Sequence, residues 1–238
     1  SRDPKMEHAL TTNNLSVSVG EKTILYPTTI SIEMGEMTAI IGANGAGKST
    51  FMRAALGLIP HSGFSSLSSK TINERMKFAS WVSQDRELVW DVRVKTLLQF
   101  TLERTLRTID TSFQKKLTGI NEALELTNIS QLADQQVNSL SGGEVTAVLI
   151  ARTLVQQTPI IFLDEPLASL DPIQKIKILS LLRSLSKSGR TIIASLHDIK
   201  QSATYFSRYI GIKNGTVVID AAPIEAINKQ NFNCVFVK

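Results

Sequence analysis

The chain has 238 residues, of which 42% are hydrophobic and 20% charged, with a net charge of +5 at pH 7. These values exclude intrinsic disorder, and the single cysteine, Cys234, excludes a disulfide scaffold. No run approaches the roughly 18 apolar residues of a spanning helix. The polar start predicts no signal peptide, and residues 1–5, which precede the first methionine, are interpreted as a cloning remnant. We therefore expect a soluble intracellular protein whose small positive charge does not itself indicate nucleic acid.

Alternating and apolar stretches predict the elements of the first third of the chain. Residues 7–35 alternate in places and predict strands, and the apolar run Met37–Ile41 predicts a buried strand. A glycine-rich segment follows, and then a helix over residues 49–58. The serine-rich residues 61–75 predict a loop or a short edge strand, and Lys77–Val82 predicts a second core strand.

The remainder of the chain predicts a helical segment followed by alternating strands and helices. From Asp91 to about Asn138, helical spacing without long β-branched runs predicts an all-helical insertion. Pro159–Leu163 and Thr191–Ser195 predict two more buried strands, each followed by a helix, and residues 210–219 predict a hairpin. Strands that alternate with helices imply a mostly parallel sheet covered on both faces.

The glycine-rich segment carries the clearest chemical signal. Gly42-Ala43-Asn44-Gly45-Ala46-Gly47-Lys48-Ser49 matches G-x-x-x-x-G-K-[ST] at every fixed position. Glycines let the backbone curl so that successive N–H groups point at phosphate oxygens, and the next helix presents the positive end of its dipole to the same anion. We expect Lys48 to reach the β and γ phosphates of a nucleotide and Ser49 to ligate Mg²⁺.

Two acidic residues end the strand predicted around residue 160. Asp164 and Glu165 follow Ile160–Leu163, and we expect this strand to lie beside Met37–Ile41. Asp164 would then hold the Mg²⁺, and Glu165 would lie near the γ phosphate and polarise the attacking water. Two solvated acids at a strand end are common, but the phosphate-binding loop in the same chain favours the catalytic interpretation.

A third segment, Leu140-Ser141-Gly142-Gly143-Glu144, precedes an apolar helical run. Ser141 and Glu144 have the spacing of a capping box, so the simpler interpretation is a well-capped helix. Two glycines at a helix start also expose N–H groups and make another anion site. Because one γ phosphate needs only one phosphate-binding loop, this second site suggests a nucleotide held by another copy of the chain.

Over about residues 7–228 the chain resembles the ATP-binding cassette (ABC) ATPases, the nucleotide-binding subunits of ABC transporters, with six motifs in the family's order. The resemblance implies an α/β fold of the P-loop NTPase (RecA-like) type, with a mostly parallel sheet, an N-terminal antiparallel β subdomain and an all-helical insertion. It implies one domain over residues 1–238. The core would cover about 6–90 and 157–228, and the helical subdomain, with the signature motif, about 91–156.

The resemblance also implies a role for individual residues. Glu165 would be the catalytic glutamate, His197 the switch histidine and Gln84 the Q-loop glutamine. Ser49, Gln84 and Asp164 would surround the Mg²⁺. The ATP-binding residues would be Gly42, Asn44, Gly45, Ala46, Gly47, Lys48, Ser49, Thr50, Ser141, Gly142, Gly143 and Asp171.

Three of these assignments have a simpler alternative. Gln84 alone would be typical of a surface glutamine, and His197 alone of a hydrogen-bonded structural histidine. Asp171 before Pro172 is a good helix N-cap with proline at the first helical position, and this role can coexist with nucleotide binding.

The resemblance implies partners as well as cofactors. Two copies would pair head to tail, each ATP lying between the phosphate-binding loop of one copy and the signature motif of the other. Separate permease subunits would hold the chain at the cytoplasmic face of the inner membrane, a periplasmic or surface protein would deliver the cargo, and no nucleic acid is involved. Ser83–Trp90 and Leu149–Leu154 look most like bacterial importers of iron–siderophore, haem or cobalamin complexes. We hypothesise that Trp90, Val92 and Leu97 help form the permease groove.

Two segments of the sequence depart from the pattern of the family. Val19 occupies the position where the family usually stacks adenine on an aromatic side chain, a contact worth about 1–3 kcal/mol. Basic residues usually follow the signature motif, but here Val145-Thr146-Ala147 follows it.

The alternative functions are those of a non-transport ABC regulator, an exporter subunit, and a P-loop kinase or GTPase. The guanine signature of GTPases is absent from Asn228-Lys229-Gln230-Asn231, because this sequence lacks the aspartate.

Overall fold

The computed structural model describes residues 8–84, 91–106, 113–197, 202–223 and 235. The described strands are β1 (His8–Val19), β2 (Lys22–Glu33), β3 (Met37–Ile41), β4 (Ser62–Ser65), β5 (Ala79–Val82), β6 (Ile160–Leu163), β7 (Thr191–Leu196), β8 (Arg208–Lys213) and β9 (Thr216–Ala221). The described α-helices are α1 (Lys48–Ala55), α2 (Ile72–Phe78), α3 (Val94–Leu106), α4 (Phe113–Leu126), α5 (Gly142–Val155) and α6 (Pro172–Lys187). Two short 3₁₀ turns, Ser130–Leu132 and Val137–Ser139, lie between α4 and α5.

The first strands form a small antiparallel sheet in the order β2-β1-β4. Leu15 and Val17 of β1 are buried while the serines between and after them are not, as the alternation in the sequence predicts. β4 is a four-residue edge strand, so the prediction of a loop or short edge strand over residues 61–75 is confirmed in its first part.

The second sheet has the order β5-β6-β7-β3-β8-β9. Its first five strands in this order are parallel, and β9 pairs antiparallel with β8. β3, β6 and β7 are buried at every residue, as expected for strands covered on both faces. The predicted mostly parallel sheet and the hairpin over residues 210–219 are confirmed, and the carboxyl ends of β3, β6 and β7 meet at one edge.

One neighbour relation predicted from the sequence is wrong. β6 does not lie beside β3, because β7 pairs in parallel with both strands. The connection through α6 returns the chain next to β6, which is the usual outcome of a short right-handed crossover. As a result, residues at the end of β7 stand between the phosphate-binding loop and the acids that follow β6.

Two element boundaries also differ from the sequence prediction. Residues 77 and 78 belong to α2, not to a strand, because Thr71 and Glu74 form a reciprocal capping box that starts a helix there. α1 ends at Ala55, three residues early, since Gly57 has a left-handed φ of 63° that stops the helix.

The hydrophobic core lies on both faces of the large sheet. One cluster joins the sheet to α3, α4, α5 and α6, and the other joins it to the small sheet and α1. The predicted helical insertion is confirmed where the structure describes it, and none of the described helices has the length and apolar character needed to cross a bilayer. Leu97 is only 4% exposed and Val92 packs against the first cluster, so Leu97 cannot line a surface groove as hypothesised; Trp90 lies outside the described residues.

Candidate functional site

The glycine-rich loop connects the buried strand β3 to the first turn of α1. Gly47 is the N-cap residue of α1 with a φ of 108°, and an added Cβ would lie 3.3 Å from the carbonyl oxygen of Ile24. A side chain at Gly42 would collide with the carbonyl oxygen of Ile212. The turn between β8 and β9 supports the loop, because the N–H of Gly215 donates to the carbonyl oxygen of Ala46 at 2.8 Å. The loop is therefore held in one curled conformation that only glycine permits at these positions.

Lys48 is buried at the start of α1, with 4% of its surface exposed. Its Nζ donates to the carbonyl oxygens of Gly42 and Ala43 at 3.0 and 3.1 Å and lies 3.8 Å from Oε1 of Glu165. Burial lowers the pKa of the Lys48 ammonium, and the charges of Glu165 and Asp164 offset part of this shift. The lysine thus joins the loop to the acids that follow β6.

The carboxylate of Asp164 is buried and bonded on one side only. Its Oδ1 accepts hydrogen bonds from the hydroxyls of Ser49 at 2.9 Å and Ser195 at 2.6 Å. Its Oδ2 has no hydrogen-bond partner among the described residues, which is costly for a buried carboxylate oxygen. This arrangement fits Mg²⁺, which takes oxygen ligands and usually binds through one or two carboxylates plus phosphate. Ser49 and Asp164 are the residues that could hold the ion.

Two further residues predicted for the site, Gln84 and His197, lie next to the carboxylate of Glu165. Nε2 of Gln84 donates to Glu165 Oε2 at 3.1 Å, and Nδ1 of His197 lies 3.8 Å from the same oxygen. Glu165 has a left-handed φ of 49°, which is rare for a residue with a side chain. A cavity of about 20 Å³ adjoins Glu165 and His197, room for about one water molecule. The carboxylate of Glu165 can accept a proton from water, and it is held in place by the ammonium of Lys48 and the side-chain amide of Gln84.

The signature segment lies apart from this cluster in the described contacts. Ser141 is the N-cap of α5: its Oγ accepts from the N–H of Glu144 at 3.4 Å, and Glu144 Oε2 accepts from the N–H of Ser141 at 2.8 Å. The predicted capping box is confirmed. Residues at the start of the next helix pack against the glycines: a Cβ added at Gly142 would meet Leu170, which precedes α6, and one at Gly143 would meet Gln174 of α6. The first N–H groups of α5 have no partner within the helix, so they can bind an anion supplied from outside.

Asp171 caps α6, with its Oδ1 accepting from the N–H of Gln174 at 2.8 Å and Pro172 at the first helical position. This is the structural role that the sequence offered as an alternative.

The other predicted loop residues take different environments. Asn44 and Gly45 are exposed at the tip of the loop, Ala46 is buried, and Thr50 is half-buried on α1. Val19, at the position of the usual adenine-stacking residue, is 69% exposed at the end of β1.

Sequence reasoning missed two contributors to the site. Ser195 bonds to Asp164, and Gly215 supports the loop. Asn214-Gly215 marks the turn of the predicted hairpin but not its contact with the loop. The signal at Ser195 is a hydroxyl residue within a mostly apolar strand, two positions before His197.

The sequence model of the family described as "ABC transporter" matches residues 25–168, which is more than half of the chain. The chain belongs to the ABC transporter family. ABC ATP-binding domains hydrolyse ATP to power transport, so this chain is an ATPase.

Two ABC relatives illustrate the breadth of the similarity. The phosphonates import ATP-binding protein PhnC 1 of Nostoc sp. is 35% identical, with 93% of this chain and 90% of that protein covered. The achromobactin transport ATP-binding protein CbrD of Dickeya dadantii is 30% identical, with 96% and 87% covered.

Solved ABC structures share the whole fold. The cbiO1 protein of Clostridium perfringens, part of the ABC transporter complex cbiONQ, superimposes with a TM-score of 0.85 at 27% identity, covering 95% of this chain and 93% of that one. The ATP-binding cassette MJ0796, solved as a dimer in a post-hydrolysis state with ADP and Pi, gives a TM-score of 0.76 at 25% identity, covering 90% and 98%. The fold is that of a P-loop NTPase.

Proposed function

We propose that this chain is the ATP-hydrolysing subunit of a membrane importer of iron–siderophore, haem or cobalamin complexes, and that two copies close head to tail around ATP. The observation that carries the ATPase chemistry is the carboxylate of Glu165, which lies within 3.8 Å of Lys48 and His197 and accepts a hydrogen bond from Gln84. The import direction is supported by the relatives' names, PhnC 1 foremost.

Each residue of the cluster has a distinct task in hydrolysis. The N–H groups of Gly42–Ser49 and the ammonium of Lys48 bind the β and γ phosphates. Asp164 and Ser49 hold Mg²⁺, with Gln84 near them; when bound, the ion neutralises charge on the phosphate oxygens. Glu165 orients the attacking water and accepts its proton, and His197 contacts the γ phosphate region from the end of β7.

Replacement of Glu165 by glutamine tests this chemistry. Glu165→Gln keeps the size and hydrogen-bonding capacity of the side chain but removes the base, so we expect ATP binding to persist while turnover falls about 10²–10⁴-fold. Glu103→Gln, an exposed acid on α3, is the matched control and keeps the wild-type rate. Unaltered hydrolysis in Glu165→Gln removes Glu165 from the role.

The head-to-tail pair is supported by the separation of the two anion sites in one chain. The signature segment packs against α6 through Gly143 and Gln174, whereas Lys48 contacts Glu165, which follows β6. A second copy can bring its signature helix to the nucleotide, with Asp171 beside it. ATP then stabilises the closed dimer because both copies bind the same γ phosphate, and hydrolysis removes that bridge. The dimeric ADP-bound structure of MJ0796 agrees with such a pair.

A surface groove supports docking of a separate permease, which would place the chain at the cytoplasmic face of the inner membrane. The groove has a volume of about 390 Å³ and runs between α2, β5 and the end of α3. Its lining includes exposed apolar side chains, Leu58 and Ile72, beside the cations Arg75 and Lys77. β5 leads directly into Gln84, so a partner seated there adjoins the segment that contacts Glu165. This groove replaces the one hypothesised around Leu97.

The proposed cargo is an iron complex, and this assignment has two supporting observations. The iron-complex assignment is supported by Ser83–Trp90 and Leu149–Leu154 and by the relative CbrD, which transports achromobactin. PhnC 1, the more identical relative, imports phosphonates and makes phosphonate the second candidate.

Uptake in a deletion strain separates these cargoes. We expect loss of ⁵⁵Fe–siderophore, haem or labelled cobalamin uptake on deletion, restored by the wild-type chain but not by Glu165→Gln. Loss of phosphonate growth alone would replace the iron-complex proposal. A neighbouring gene for a substrate-binding protein distinguishes an importer from an exporter, and the absence of a neighbouring permease gene would favour a non-transport regulator.

A further inference from the structure

Ser195 occupies a central position among the catalytic acids although no motif includes it. It lies on β7 and is completely buried. Its Oγ donates to Asp164 Oδ1 at 2.6 Å and accepts from the backbone N–H of Glu165 at 2.8 Å. One hydroxyl therefore bonds to both of the adjacent acids that end β6.

The bond to Glu165 acts on a backbone that is intrinsically disfavoured. Glu165 has a φ of 49°, a left-handed value that residues with a Cβ avoid. Such a conformation persists only where surrounding contacts hold it. The hydroxyl of Ser195 holds the N–H of Glu165, and the N–H of Ala168 donates to the carbonyl oxygen of Glu165 at 3.1 Å. The direction of the Glu165 carboxylate depends on this local backbone.

The bond to Asp164 acts on the carboxylate that fits Mg²⁺. Ser49 and Ser195 both donate to Oδ1, which leaves Oδ2 without a partner among the described residues. When Mg²⁺ binds, the hydroxyl of Ser49 is expected to turn to the ion. The hydroxyl of Ser195 would then be the one that still donates to Asp164. Partners behind a metal ligand fix its orientation, and their loss typically costs about 10–100-fold in metal affinity or activity.

We propose that Ser195 is a positioning residue of the ATPase site, which sets the carboxylate of Asp164 for the metal and the backbone of Glu165 for proton transfer. This inference rests on the proposed hydrolysis mechanism. Its location follows from the sheet order, since β7 lies between β6 and β3 and its end faces both acids.

Ser80 is a matched control within the same sheet. It lies on β5, is 4% exposed, and accepts a hydrogen bond from Thr158 Oγ1 at 3.0 Å. Ser80→Ala therefore also removes a buried, bonded hydroxyl from the large sheet, but one with no described contact to the catalytic acids. A purely structural role for Ser195 predicts that Ser195→Ala and Ser80→Ala behave alike.

The test compares the full-length chain with Ser195→Ala and Ser80→Ala. We expect kcat to fall at least about 10-fold in Ser195→Ala with KM for ATP little changed, while Ser80→Ala stays within about twofold. In the Glu165→Gln background, where hydrolysis is expected to be slow, calorimetric ATP binding at increasing Mg²⁺ gives a second measurement. There Ser195→Ala should raise the Mg²⁺ midpoint several-fold, and Ser80→Ala should leave it unchanged.

Ser195→Cys keeps the test decisive if Ser195→Ala does not fold. Cysteine is close to serine in size but is a weak donor and acceptor, so the folded variant should still lose most of kcat. The proposal is overturned if a folded Ser195 variant matches Ser80→Ala in both kcat and Mg²⁺ midpoint while the wild type hydrolyses ATP. If the wild type itself does not hydrolyse ATP, the proposed function fails instead.

Discussion

At the scale of single residues, burial and charge decide which groups can do chemistry. Lys48 is a buried cation whose pKa is lowered by its surroundings, yet it keeps two carboxylates near it. Asp164 has one bonded oxygen and one without a partner among the described residues. Both features disfavour the folded chain by itself, and both are relieved when a triphosphate and a divalent cation bind. Nucleotide binding should therefore stabilise the fold as well as start the reaction.

Tyr209 gives a titration signal that is independent of the catalytic site. It is completely buried on β8, and burial raises its pKa from 10.0 to about 12, with the bond to Ser202 opposing. The neutral phenol is the form favoured by the fold, so its contribution to stability is complete below pH 10 and is lost as the pH rises through 12. Between pH 10 and pH 11.5, the unfolding free energy of the wild type should fall by roughly 1–2 kcal/mol more than that of Tyr209→Phe.

Denaturant unfolding at the two pH values measures this difference. Tyr205→Phe, which removes a half-buried tyrosine next to the same segment, is the control and should follow the wild type. Parallel pH dependence of Tyr209→Phe and the wild type would show that Tyr209 already ionises normally in the folded chain.

At the scale of elements, the N-termini of α5 and α6 form one unit. Asp171 caps α6, and Gln174 of the same first turn packs against Gly143 of α5. A Cβ at Gly143 would lie 2.8 Å from Cδ of Gln174, whereas one at Gly142 would lie 3.6 Å from Cδ2 of Leu170, an ordinary contact. A side chain at the second glycine of the signature segment would therefore displace the side chain of Gln174, besides affecting any contact with a nucleotide.

A double-mutant cycle measures this contact. In the Gln174→Ala background, Gly143→Ala should stabilise the chain by up to about 1 kcal/mol, because alanine favours a helix over glycine. In the wild-type background the displaced Gln174 should cancel or reverse that gain, giving an interaction energy of about 1 kcal/mol. Gly142→Ala is the control and should be insensitive to Gln174→Ala. Equal effects of Gly143→Ala in both backgrounds would contradict the contact.

The elements also show what could be predicted from the sequence. Three local patterns of the sequence are found in the structure as predicted: the loop Gly42–Ser49, the capping box of Ser141 and the N-cap Asp171. Each depends only on residues that are close together in the chain. Of the predicted strand Lys77–Val82, residues Ala79–Val82 form β5. Residues 77 and 78 belong to α2, because the capping box at Thr71 starts a helix that continues to Phe78.

Contacts between segments that are far apart in the chain could not be predicted from patterns in the sequence. The position of β7 between β6 and β3 depends on how a crossover packs, and the role of Ser195 follows only from that position. Leu97 was expected at a surface, but tertiary packing of α3 buries it. The family resemblance assigns Gln84 to the Mg²⁺ and His197 to the γ phosphate. Their common contact with Glu165 is visible only in the structure, because it joins residues that follow three different strands.

At the scale of the whole molecule, the proposed head-to-tail pair would give each chain two halves of different sites. The cluster of Lys48, Asp164 and Glu165 lies at the carboxyl edge of the large sheet, and the signature helix begins against α6. A head-to-tail pair would complete two equivalent sites by one rotation, as expected for a closed symmetric dimer. The groove beside β5, which we propose as the docking site of the permease, lies next to Gln84, so closure of the dimer around the nucleotide would be transmitted to it.

Mixing two inactive variants tests the shared site most directly. Lys48→Ala removes the phosphate-binding cation, and Gly142→Asp puts a repelling carboxylate at the signature helix, where an acid in the first turn is compatible with folding. In a mixed head-to-tail dimer one site contains both defects and the other contains neither. The account predicts that the mixture regains ATPase activity, to roughly a quarter of the wild-type rate if the two sites act independently. A mixture that stays at the sum of the two separate variants would contradict a site built from two copies.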